Sequence, residues 1–279
     1  MKLVCFRLVL DWIYGKVMGF IQTFFTYISG MGAEIFELPW IQAVIEFFRL
    51  FGWSMYVVAL VVAVFDTAIA WQNGQGNIKD AALGAIKGFM AVNLFTVVPI
   101  ELYKLSIEVQ NSLGQAMSGL YSGSLSDLSE LSSAQLLPFQ SEINPFNLFT
   151  IIALGYAVIK VFFANIKRGG IIMTNIAVGS LYIFGLTRGH YDGFVDWCKQ
   201  VIAICVTAFL QNSLLFAGLL TFGDHMLLGL GIMLAANEVP RIADRFGLDT
   251  SSKVNIMSTY YATQAAVRTT QAVMKAVSK

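Results

Sequence analysis

Asp66, Lys87 and Lys160 are ionisable residues set inside otherwise apolar stretches of this 279-residue chain. A charge within a bilayer costs several kcal/mol unless it meets a partner, water or the interface, so such residues are the first candidates for function. All three fall near the ends of different stretches that are expected to face the cytoplasm, and two readings follow. In the first, the lysines extend their alkyl stems to the interface, and Asp66 does likewise near Trp71. In the second, the three form a polar ring or an ion pair that lines a pathway through an oligomer. Asn93 and Gln211, the latter beside Asn212, add groups able to hydrogen-bond across helices or to water. Asp66, Lys87, Asn93, Lys160 and Gln211 are therefore the candidate pathway residues.

The other reactive side chains argue against catalysis. His190 and His225, the only histidines, fall at the edges of apolar stretches, with no serine partner arranged for nucleophilic work. Asp66 is the only acid well inside such a stretch, so no aspartyl pair forms. Gly74-x-Gly76 lies in a turn between two membrane helices, the wrong context for a dinucleotide fingerprint, and no phosphate-binding loop motif occurs. Cys198 and Cys205 are seven residues apart on one helical stretch, about 10 Å along its axis, too far to bridge. With Cys5 they read as small apolar fillers. No metal-ligand spacing appears. The sequence predicts neither enzyme activity nor a cofactor.

The elements that must place these residues are membrane helices. Hydrophobic residues make up 57% of the chain and charged residues 13%, and the mean hydropathy is +0.68. A soluble domain carries about 25% charged residues, so the expected fold is an all-α, polytopic membrane protein. The net charge of +1 supplies no basic field for binding nucleic acid. A hydrocarbon core about 30 Å thick needs about 20 apolar residues. Five stretches meet that length: Leu50–Ala70, Ala81–Ile100, Phe146–Ile166, Gly170–Thr187 and Val195–Phe222. A shorter apolar piece, Met226–Ala236, is expected to turn back or lie at the surface.

The resulting organisation has five parts. Residues 1–49 form an N-terminal amphipathic and interfacial region, with Val4, Leu8 and Trp12 on one face of its first helix. Residues 50–100 hold the first transmembrane pair, and residues 101–145 a serine-rich outward loop whose first part, through Met117, can continue as helix. Residues 146–236 hold transmembrane helices three to five and the short apolar segment. Residues 237–279 form a tail with helical periodicity. If Val17–Ala33 also crosses, the count becomes six. Lysine and arginine in the short connections set the orientation. Lys79, Lys167, Arg168 and the basic tail mark the cytoplasmic side, while Glu101–Pro145, with one lysine against five acids, faces outward with the N-terminal region. Three small-residue pairs offer close helix approach: Gly15/Gly19, Gly84/Gly88 and Gly185/Gly189. Gly84 and Gly88 lie well inside a span and are expected to pack within the chain.

Three segments carry a family resemblance: Gly32-Ala-Glu-Ile-Phe-Glu-Leu-Pro-Trp40, Ala91-Val-Asn-Leu-Phe-Thr-Val-Val-Pro-Ile-Glu-Leu-Tyr103, and Gly229-Leu-Gly-Ile-Met-Leu-Ala-Ala-Asn-Glu-Val-Pro-Arg-Ile-Ala243. With the overall layout, they resemble the TrbL-type conjugal transfer family, the polytopic inner-membrane component of type IV secretion systems. The resemblance implies a homo-oligomeric channel or platform in a bacterial cell membrane. It implies membrane lipids, a secretion ATPase, a coupling protein and other mating-channel subunits as partners, with nucleic acid only as transported cargo. It brings no catalytic residues. The competing readings are a small-solute transporter or free-standing channel, and a non-conducting scaffold. The spans lack the paired broken helices that mark a transporter's midplane site.

Overall fold

The computed structural model describes residues 34–74, 78–122 and 145–245, with ten positions between 12 and 24. The start of the amphipathic N-terminus, most of the serine-rich loop and the tail beyond Arg245 lie outside the described residues. No strand occurs among those described. A short 3-10 turn, Glu34–Glu37, leads into seven helices: α1 (Pro39–Gln72), α2 (Ile78–Leu94), α3 (Val97–Ser122), α4 (Pro145–Thr187), α5 (Asp192–Asp224), α6 (Met226–Ala236) and α7 (Val239–Arg245). The chain is all-α, as its composition predicts.

Local chemistry accounts for the boundaries. Pro39 opens α1, where its missing N–H costs nothing and its fixed φ suits a first turn. Pro99 breaks the second expected span. Its ring excludes the carbonyl of Phe95 and supplies no N–H to it. The helix therefore stops at Leu94 and restarts at Val97 with a 49° bend. The continuation expected through Met117 extends as α3 to Ser122. At the end of α4, the His190 N–H donates to Gly185 O at 2.9 Å and the Gly189 N–H to Leu186 O at 3.1 Å. Gly189 adopts φ +90° there, the left-handed cap that glycine takes without a Cβ clash.

One expectation is overturned. Phe146–Ile166 and Gly170–Thr187 are not separate crossings joined at Lys167-Arg168-Gly169; they are the halves of one 43-residue helix. At 1.5 Å per residue α4 is about 64 Å long, about twice a hydrocarbon core. Gly169 and Gly170 cost a helix about 1 kcal/mol each relative to alanine, which weakens it without ending it. Arg168 finds its hydrogen bonds inside the bundle, so nothing forces the chain to turn there. Lys167 and Arg168 thus leave the set of connecting residues used to orient the chain. By length and composition α1, α4 and α5 each suffice to cross a membrane, and the bent pairs α2–α3 and α6–α7, each broken by 49°, raise the total to five. The expectation that the spans contain no paired broken helices is therefore also overturned.

The bundle is built around α4 and α5. Of the three long apolar helices, α5 is the most enclosed and α1 the least. Two apolar clusters lie along α4. Its first half (Ile151, Leu154, Val158, Val161) packs with Leu215, Leu219 and Phe222 of α5, Leu230 and Met233 of α6, and Ile21. Its second half (Ile172, Ile176, Ile183) packs with Trp197, Val201 and Ile204 of α5, Tyr56 of α1, and Val92, Phe95 and Tyr103 of α2–α3. Phe24 meets Phe162 at 4.3 Å between ring centroids, so the N-terminal segment also lies along the first half of α4.

Small residues bring the helices together where the sequence marks them. A Cβ on Gly84 would come within 2.6 Å of Thr187 O, and one on Gly88 within 3.0 Å of the Tyr56 ring. This glycine pair packs within the chain, as expected. Met226–Ala236 does turn back: α6 folds along α5 after His225, with Gly229 against Gly218.

Candidate functional site

Between the two apolar clusters lies a buried polar layer. Arg168, on α4, is only 5% exposed. One guanidinium nitrogen donates to Asn165 Oδ1 at 2.6 Å and another to Gln211 Oε1 on α5. Asn165 Nδ2 donates to Asn212 Oδ1 at 2.9 Å, and Asn212 Nδ2 to Gln110 Oε1 of α3 at 2.6 Å. The chain of donors therefore links α4, α5 and α3 at mid-height. Gln110 Nε2 has no hydrogen-bond partner. Among the described residues no carboxylate reaches Arg168 within salt-bridge distance. A charge held this way depends on neutral amide oxygens, and hydrogen bonds to charged groups contribute about 1.5–3 kcal/mol each. Arg168 thereby fixes the register of α4 against α5.

Gln211 is the one candidate pathway residue in this layer. Its partner Arg168 escapes the sequence reading, because Lys167-Arg168-Gly169-Gly170 resembles a helix stop. The helical phase carries the missing signal. Val161, Asn165, Arg168, Ile172 and Ile176 form one stripe at intervals of three and four, all buried, whereas Lys160, Phe163 and Lys167 form an exposed stripe.

The remaining candidates occupy three other places. Asp66 and Lys87 line one open cavity of about 580 Å³ with Asp80, Thr187, Arg188 and Tyr191. Arg188 donates to Asp66 Oδ2 at 2.8 Å, and the Lys87 ammonium lies 4.2 Å from the Tyr191 ring centroid. The ion pair considered for Asp66 exists, with Arg188 rather than a lysine. Lys160 does not join a ring with them. It lies on the exposed face of α4, 5.8 Å from the Tyr156 ring, and about 40 Å of continuous helix separates it from Thr187. Asn93 is exposed on α2 and donates to the Phe89 carbonyl at 2.7 Å. Neither Cys198 nor Cys205 is in a disulfide, and Cys205 is a buried filler.

The described residues bring no three of His, Cys, Asp and Glu near enough to share a metal ion. Long apolar helices around an internal polar layer define a polytopic α-helical membrane protein. Its sequence matches the family described as conjugal transfer protein TrbL over residues 2–278, nearly the whole chain. The chain belongs to that family and is a component of conjugal transfer. No curated protein and no solved structure matches it.

Proposed function

We propose that this chain is a homo-oligomeric channel or platform subunit of a conjugative type IV secretion system. It helps DNA–protein cargo cross the cell membrane and performs no catalysis of its own. The family match supports the transfer role, and the filled bundle supports the place of the conduit. Arg168, Gln211, Tyr103 and Phe216 are buried where α3, α4 and α5 pack together. A nucleoprotein strand needs an opening far wider than any gap left there, so the conduit lies between copies. Ring closure is the usual outcome of head-to-tail association when the rotation closes. The large apolar residues exposed along α1 and α2, among them Val57, Val61, Phe65, Ile86 and Phe89, are available to lipid and to neighbouring copies.

In this reading the α1–α2 and α4–α5 turns, with Lys79 and Arg188, face the cytoplasm; residues 101–117 belong to the bent second crossing, and only the connection from α3 to α4 faces outward. The bent α6–α7 pair makes the fifth crossing and leaves the tail cytoplasmic. A secretion ATPase, a coupling protein and other mating-channel subunits are the partners, and nucleic acid is met only as cargo. A donor cell lacking this chain should lose DNA transfer and regain it when the chain is supplied. Normal transfer without it contradicts the reading.

A further inference from the structure

Lys87 belongs to two cavities at once. One is the polar cavity it shares with Asp66, Asp80, Arg188 and Tyr191. The other is an apolar groove of about 390 Å³ between α2, α4 and α5, with Met90, Leu94, Val98, Leu186, Phe194 and Trp197 in its walls. From Lys87 to Leu94 the groove follows α2 for about 10 Å, at 1.5 Å per residue, and it continues past the bend to Val98. Asp66 is engaged by Arg188, and among the described residues no salt bridge includes Lys87. Its ammonium is held over the Tyr191 ring at the mouth of the groove. A cation at membrane depth favours an anion beside it, and an apolar slot open to the bilayer favours a hydrocarbon chain.

We infer that this junction binds one anionic phospholipid, its phosphate on Lys87 beside Tyr191 and one acyl chain in the groove. The charge at one end and the apolar lining beyond it match a lipid with a net negative headgroup. Asp80 lines the polar cavity and is absent from the walls of the groove. A soluble phosphate would meet the cation and leave the groove empty, whereas a lipid fills both.

The test is native mass spectrometry of the full-length protein, delipidated in mild detergent and offered phosphatidylglycerol or phosphatidylcholine with identical chains. The native protein should retain one phosphatidylglycerol with about fivefold preference, the scale of one lysine at an anionic lipid surface. Lys87→Met should reduce the preference to parity, and Lys87→Arg should keep it. Leu94→Trp, which fills the groove, should lower retention of both lipids while helicity and melting temperature stay native. Equal retention of both lipids by the native protein would overturn the inference. So would an unchanged preference in Lys87→Met, or displacement of the lipid by inorganic phosphate alone.

Discussion

Arg168 on α4 donates a guanidinium N–H to Gln211 on α5, and no carboxylate among the described residues balances it. The arrangement locks two long helices at one register, since sliding either by a turn strands a buried charge. Removing the acceptor should therefore harm the fold more than removing both groups. We expect Gln211→Leu to lower stability in detergent by about 2–3 kcal/mol, the scale of a lost hydrogen bond to a charge. Arg168→Met combined with Gln211→Leu should recover part of that loss, because the charge goes with its acceptor. Additive losses in this double-mutant cycle would show the two residues to be uncoupled.

The glycines of α2 and α4 should respond in opposite directions. Gly84→Val drives a side chain into Thr187 O and should cost about 1–3 kcal/mol, as overpacking does. Nothing lies within 4 Å of a Cβ on Gly170, so Gly170→Ala should stabilise by about 0.5–1 kcal/mol through helix propensity. Melting temperatures of the purified variants decide both, and a destabilising Gly170→Ala would count against an uninterrupted α4.

The length of α4 can be measured directly. Tyr156 and Leu181 are both exposed and are 25 residues apart, about 38 Å along a continuous helix. Spin labels on Tyr156→Cys and Leu181→Cys, in a background without native cysteines, should report a distance of that order by pulsed dipolar spectroscopy. A hairpin turning at Arg168 would bring the two positions side by side, at about 10 Å.

Much of this architecture is legible in the sequence, because apolar length and punctuation mark most of the helices. Pro39, Pro99, Gly74 and Gly189 stand at breaks that their backbone chemistry demands. The Gly84/Gly88 pair also reads correctly as an intrachain contact. Arg168 does not, since a basic residue beside two glycines has the same local signature whether the chain turns or a neighbouring helix supplies acceptors. Only the acceptors on α5, about forty residues later, separate the two cases. Asp66 hides its partner for the same reason. Arg188 is 122 positions away and comes near only after α4 runs unbroken to Thr187.

Orientation has its own expected outcome. A cysteine in place of Ser126 should be labelled by an impermeant reagent added outside the cell, and one in place of Ser252 should be labelled only after the membrane is opened. The reverse pattern would invert the topology and with it the side faced by Lys79 and Arg188.

The claim that the conduit lies between copies is tested most directly by cross-linking in the native membrane, followed by mass measurement of the extracted assembly. Single cysteines at exposed positions of α1 and α2, such as Val61 and Ile86, should yield one discrete closed multimer, whose mass is an integer multiple of the 30.7 kDa chain. A protein that stays strictly monomeric, in the membrane and in mild detergent alike while DNA transfer proceeds, would contradict it.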